Sequence, residues 1–163
     1  MIGLLRLVAA LCCGAALSQF PAFSDQYVQR LGGRVDALQQ VAVDFDASAR
    51  DAGLTRAEAL ADLSGSAFRK AHQSDMRRVF RRLDNARADL TMLRIAGPLE
   101  RMLLPHRLRD AETLRNTWQD FRPALPITAA GLTCAAIGFL FGWLLLSVVS
   151  LALRRSPEPL GWR

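Results

Sequence analysis

The side chains that usually act as bases, nucleophiles or metal ligands are scarce in this chain. Its 163 residues include two histidines, three cysteines, one tyrosine and a single lysine, Lys70. His72 and His106 stand among arginines, with no Cys, His or carboxylate at ligand spacing to fix a metal. Cys12, Cys13 and Cys134 all fall in apolar segments, so they describe no disulfide framework, and small apolar filling is their expected role. Phosphate-cradling glycine loops and Ser or Cys nucleophile motifs are missing, as is β-type alternation of useful length. The reading is therefore not an enzyme, with no catalytic, cofactor-binding or metal residue assigned and no cofactor expected.

Charge is missing at both ends. Ile2 to Phe20 carries Arg6 alone and Pro123 to Leu153 carries none, while a charged stretch of about 100 residues lies between. Neither apolar segment holds an acid, which argues against a proton-coupled transporter. Ile127 to Leu153 is 27 residues, roughly 40 Å as a helix, more than the ~30 Å hydrocarbon core needs. Pro123 and Pro126 suit its start and Arg154 and Arg155 its end. Met1 to Phe20 reaches about 28 to 30 Å only if nearly the whole N-terminus is used, with Arg6 snorkelling toward the headgroups. A cleaved secretory signal is the rival reading of that segment: one early positive charge, an apolar run from Leu7 to Leu17, and Ala16-Leu17-Ser18 as a small-residue site.

The pattern predicts an all-α membrane protein, two transmembrane helices flanking an antiparallel, coiled-coil-like helical hairpin outside the membrane. Its segments are a first span over 1–20, a helical domain over 24–122, a second span over 123–153 and a tail over 154–163. The amino terminus and Arg6 outweigh Arg30 beside the first span, which places the N-terminus in the cytoplasm. Long loops cross regardless of charge, so both termini are expected inside and the domain outside.

Within the central stretch, Val28, Leu31, Val35, Leu38, Ala42, Phe45 and Ala49 recur at steps of three and four, and so do Met76, Val79, Leu83, Ala86, Leu90 and Leu93. Two such stripes predict a pair of helices packed against each other. Gly53 is expected to close the first, Thr55 and Glu58 to cap a short helix, and Ser64-Gly65-Ser66 to reverse the chain. Gly97-Pro98 breaks the second, a short apolar piece holds Leu99, Met102, Leu103 and Leu104, and Asp110 opens a last helix whose Leu114, Trp118 and Phe121 share one face. The basic run Arg69, Lys70, Arg77, Arg78, Arg81, Arg82 and Arg87 suggests nucleic acid or anionic lipid. Asp44, Asp46 and Asp51 would face it in an antiparallel hairpin, so a solvated, internally balanced face is preferred and no nucleic-acid partner is expected.

Four glycines are candidates for helix contact. Gly138 and Gly142, extended upstream by Cys134, form a small-xxx-small pair in the second apolar segment. Their partner is either the first span, whose Ala10 and Gly14 have the same spacing, or another copy of the chain. Gly32 and Gly33 interrupt the first stripe, where each should cost about 1 kcal/mol against alanine, and close packing or a hinge would explain them.

Gln19-Phe20-Pro21 with Phe23, Gln26-Tyr27, Gln29-Arg30-Leu31-Gly32-Gly33 and Val35-Asp36 resemble the start of a bacterial membrane family known as domain of unknown function 2937. Ala52 to Arg56 with Glu58-Ala59, the Trp118-to-Pro126 stretch, and Gly138-Phe139 with Gly142-Trp143 are similar to it as well. The resemblance implies a two-span envelope protein of a proteobacterium with the N-terminal span retained, and it supplies no activity or site residue; the expected location is the bacterial inner membrane. A structural or partner-binding module that binds the bilayer and either itself or another envelope protein is the expected function. A small pore or transport accessory subunit is the alternative.

Overall fold

The computed structural model describes residues 2–125 and 127–154, and every regular element among them is helical. Pro126 and the tail from residue 155 lie outside the described residues. In chain order the helices are α1 Ile2–Ser18, α2 Phe20–Asp51, α3 Arg56–Asp62, α4 Ala67–Ile95, α5 Ala111–Asp120 and α6 Ala129–Arg154. Short 3₁₀ turns at Glu100–Leu103 and Pro105–Arg107 join α4 to α5. The described residues fall into two compact units, one of residues 25–121 and one that joins the stretch before residue 25 to the stretch after residue 121.

The two helical stretches long and apolar enough to cross a membrane are Gly3–Asp51, which contains α1, and Ala129–Leu151 within α6; α1 and α6 belong to the terminal unit. They run in opposite directions: Gly14 meets Ala135 and Phe139, Gly138 meets Cys13, and Gly142 meets Ala10. Ser18 ends α1 by donating its hydroxyl to the Ala15 carbonyl at 2.7 Å. α6 begins at Ala129, later than the prolines suggest, and the Thr128 hydroxyl accepts from the Gly131 N–H at 3.1 Å as its cap.

In the central unit the core is made by α2 and α4 side by side. Tyr27, Val28, Leu31, Val35 and Ala42 of α2 are buried with Met76, Phe80, Leu83, Ala86, Leu90 and Leu93 of α4, and Leu38 and Phe45 pack against them. The directions oppose, because Phe45 meets Phe80 while Gly32 lies beside Arg94. One position departs from the sequence stripe, since Phe80 is buried where Val79 was expected and Val79 is half-buried. The ring of Phe80 meets Phe45 edge-on at 5.5 Å and carries the Arg56 guanidinium on its face at 4.3 Å, contacts a valine has no ring to make.

The reversal between them follows from local chemistry. Gly53 takes φ +73°, and its N–H donates to the Arg50 carbonyl while that of Leu54 donates to Ala49, the paired bonds of a Schellman end. Thr55 and Glu58 then close both halves of a capping box, which holds the Glu58 carboxyl below its ordinary range. Gly65 at φ +118° makes the second bend, and the Ser66 hydroxyl accepts from the Arg69 N–H to start α4.

Candidate functional site

The contact between α1 and α6 is the closest helix packing among the described residues. A Cβ on Gly138 would stand 2.5 Å from the Cys13 carbonyl oxygen, and one on Gly142 would stand 3.0 Å from the Cα of Ala10. Gly14 answers from the other side, 2.9 Å from the Ala135 carbonyl. Cys134 is fully buried in the same unit. Small residues therefore let two backbones touch, which is how apolar helices associate where lipid removes the hydrophobic drive. At one end of the pair an open cleft of about 590 Å³ is lined by Leu11, Gly14, Ser18, Gln19, Leu125 and Phe139. Gln19 ties it together, its carbonyl accepting from the Ala124 N–H at 3.0 Å and its amide donating to the Ser18 hydroxyl at 3.1 Å. Toward the other end, Arg6 donates to the Ser150 hydroxyl across the two helices.

Gly32 and Gly33 differ from this pair. A Cβ on Gly32 would meet only the end of the Arg94 side chain, at 3.2 Å, and one on Gly33 would meet nothing within 4 Å.

A polar network in the central unit was not foreseen from the sequence. Asp89 is 3% exposed within the α4 core stripe and accepts from Arg109 at 2.8 Å and Arg107 at 3.1 Å. Arg34 reaches Asp110 at 3.3 Å and Glu112 at 2.7 Å, and the Asp110 N–H donates to the Tyr27 hydroxyl at 3.3 Å. Burial, aided by the charges of Asp110 and Asp89, pushes the Tyr27 phenol up to about 12. An acid inside an apolar stripe, with arginines two residues apart downstream, was the signal available. Charged partners for a buried acid are required, because an isolated carboxylate there would be too costly.

Burial beside this network departs from the apolar pattern of the sequence. In the short apolar piece after Pro98, Leu103 is 80% exposed and Arg101 is buried. Arg101 donates through Nε to the Leu93 and Ala96 carbonyls, orphans of the α4 terminus, and through Nη1 to Asp25. On α5 the buried residues are Thr113 and Thr117, and Trp118 is 74% exposed. Ion pairs from Arg34 to Glu112 and from Arg30 to Asp120 turn that side of the helix toward α2.

The basic run is exposed along α4. Asp46 does not face it but grips Arg56 of α3 through two hydrogen bonds, which hold its carboxyl below the ordinary range. Arg56 lies just past the Schellman end and is the nearer cation. Arg69 pairs with Asp62 and Arg78 with Asp75, whereas Arg77, Arg81, Arg82 and Arg87 make no ion pair among the described residues.

Fold and contacts define a protein that is all-helical among the described residues, with two candidate membrane-spanning stretches whose apolar helices pack through glycine. The chain belongs to the family described as protein of unknown function (DUF2937), whose family model matches residues 1–157. No curated protein and no solved structure matches it.

Proposed function

We propose that the chain is a two-span protein of the bacterial inner membrane, with residues 25–121 forming a helical hairpin in the periplasm that binds a partner and catalyses no reaction. The observation that carries this reading is the inverted arrangement of α1 and α6. Glycine, alanine and cysteine fill the contact, while Leu4 and Val8 of α1 and Leu140, Phe141, Leu144 and Val148 of α6 face outward. Water would penalise such a surface by about 25 cal/mol for each Å², and a lipid tail accepts it. The 32 residues of α2 and 29 of α4 carry the charged, half-apolar character of helices with one wet face. Because α1 occupies the Gly138 and Gly142 face, a pore built by packing α6 against α6 through those glycines has no free surface to use.

The test is a set of reporter fusions active only in the periplasm. A fusion after Gly53 is expected to be active and one at Arg163 inactive; the reverse pattern sinks the topology. Reconstituted vesicles carrying the chain should show no ion flux above empty vesicles, and a robust flux would favour the pore reading instead.

A further inference from the structure

Arg6 is the one charged residue in Met1 to Ser24, and the sequence places no acid there or between Arg122 and Ser156. Among the described residues its one hydrogen bond is donated by Nη2 to Ser150. Ser150 spends its own proton on the Ser147 carbonyl at 2.9 Å, so its oxygen is left to accept from the guanidinium. Nε is enclosed without a partner, and the residue as a whole is only partly buried. A cation thus lies against a helix pair with a neutral hydroxyl as its one ligand among the described residues, an arrangement that is expensive until an anion meets it.

The register says where that anion comes from. Cys13 meets Gly138 and Ala10 meets Gly142, so continuing the antiparallel count sets Arg6 opposite residue 146. Its bond to Ser150 therefore reaches one turn, about 5.4 Å, further toward the helix ends. Side chains lean toward the N-terminus of their helix, which is the direction taken. Ser150 in turn lies one turn before the Arg154-Arg155 pair of the sequence, at the edge of the apolar span. The group of matching charge at that depth is a lipid phosphate, and the planar guanidinium suits phosphate oxygens.

We propose that Arg6, steadied by Ser150, binds the phosphodiester of an anionic phospholipid against the α1–α6 pair. This rests on the membrane reading above. Phosphatidylglycerol is favoured over phosphatidylcholine because no carboxylate among the described residues pairs with Arg6, and the net negative headgroup brings the opposite charge without a cation of its own.

The full chain in mild detergent, titrated with each lipid and followed by native mass spectrometry, tests it; carbonate extraction of membranes checks insertion of every variant first. Wild type should hold one phosphatidylglycerol about tenfold more tightly than phosphatidylcholine, the scale of one charge-assisted hydrogen bond. Arg6→Gln should abolish that preference, Arg6→Lys should keep part of it, and Ser150→Ala should weaken it several-fold. Equal retention of both lipids by wild type, or full preference in an inserted Arg6→Gln, overturns the proposal. Displacement of the lipid by millimolar inorganic phosphate would make this a free-anion site and overturn it too, as would an intact mass lacking the residues around Arg6. Release of wild type by carbonate would instead defeat the membrane reading itself.

Discussion

Tyr27 is the only tyrosine and is fully enclosed, so its ionisation reports one position in the central core. Burial disfavours the phenolate first of all, and the charges of Asp110 and Asp89 add to it, against the Asp110 N–H bond and Arg34, which favour it. The folded value, about 12, lies above the ~10 of an unfolded chain. The stability tied to the neutral phenol is therefore complete below pH ~10 and is lost as pH rises through about 12. Phenolate absorbance should appear only in that upper window and together with loss of helicity; ionisation near pH ~10 in a chain still helical would show an open ring. Asp89→Ala should cost ~2 kcal/mol in denaturant unfolding, less than a wholly buried pair because both arginines can rehydrate. Asp75→Ala, which breaks a pair exposed on both sides, should stay within ~0.5 kcal/mol.

Helices differ in what their glycines permit. Gly33→Ala meets open space and removes a flexible residue from α2, so it should raise the stability of the central unit by up to ~1 kcal/mol. Gly138→Ile puts a branched side chain where a Cβ alone would stand 2.5 Å from a carbonyl oxygen, so α1 and α6 must part. With Cys12 and Cys13 replaced by Ala, disulfide crosslinking between Cys134 and a probe cysteine moved along residues 14 to 18 should fall in Gly138→Ile, and unchanged yields would mean the pair does not form in the membrane. Nothing in composition separates these two glycine pairs, since the difference lies in what stands opposite. The same limit holds for single side chains. Leu31, Leu83 and Leu93 were legible because burial repeats with the helical period. Phe80 in place of Val79, Arg101 beneath a helix end and Thr117 in place of Trp118 were not, because partners distant in sequence decide them: Phe45, the Leu93 and Ala96 carbonyls, and Arg30 with Arg34.

Both helix pairs join the same two halves of the chain. α1 packs on α6 and α2 on α4, so both helix interfaces join chain before the Ser64-Gly65-Ser66 bend to chain after it. Cutting the chain at that bend should leave two fragments that stay together without a covalent link. A site for a specific protease inserted after Gly65, where the backbone is exposed and no added Cβ meets a neighbour, tests this in detergent. The fragments of the otherwise unaltered chain should co-elute with helicity unchanged. Leu83→Asp alone removes a buried leucine and adds an unpaired charge, several kcal/mol against the α2–α4 contact, and should loosen that pair while α1 and α6 still hold. Combined with Gly138→Ile it removes both contacts, and the fragments should separate. Separation without either substitution would mean that the loop connection, rather than the two interfaces, keeps the halves in place.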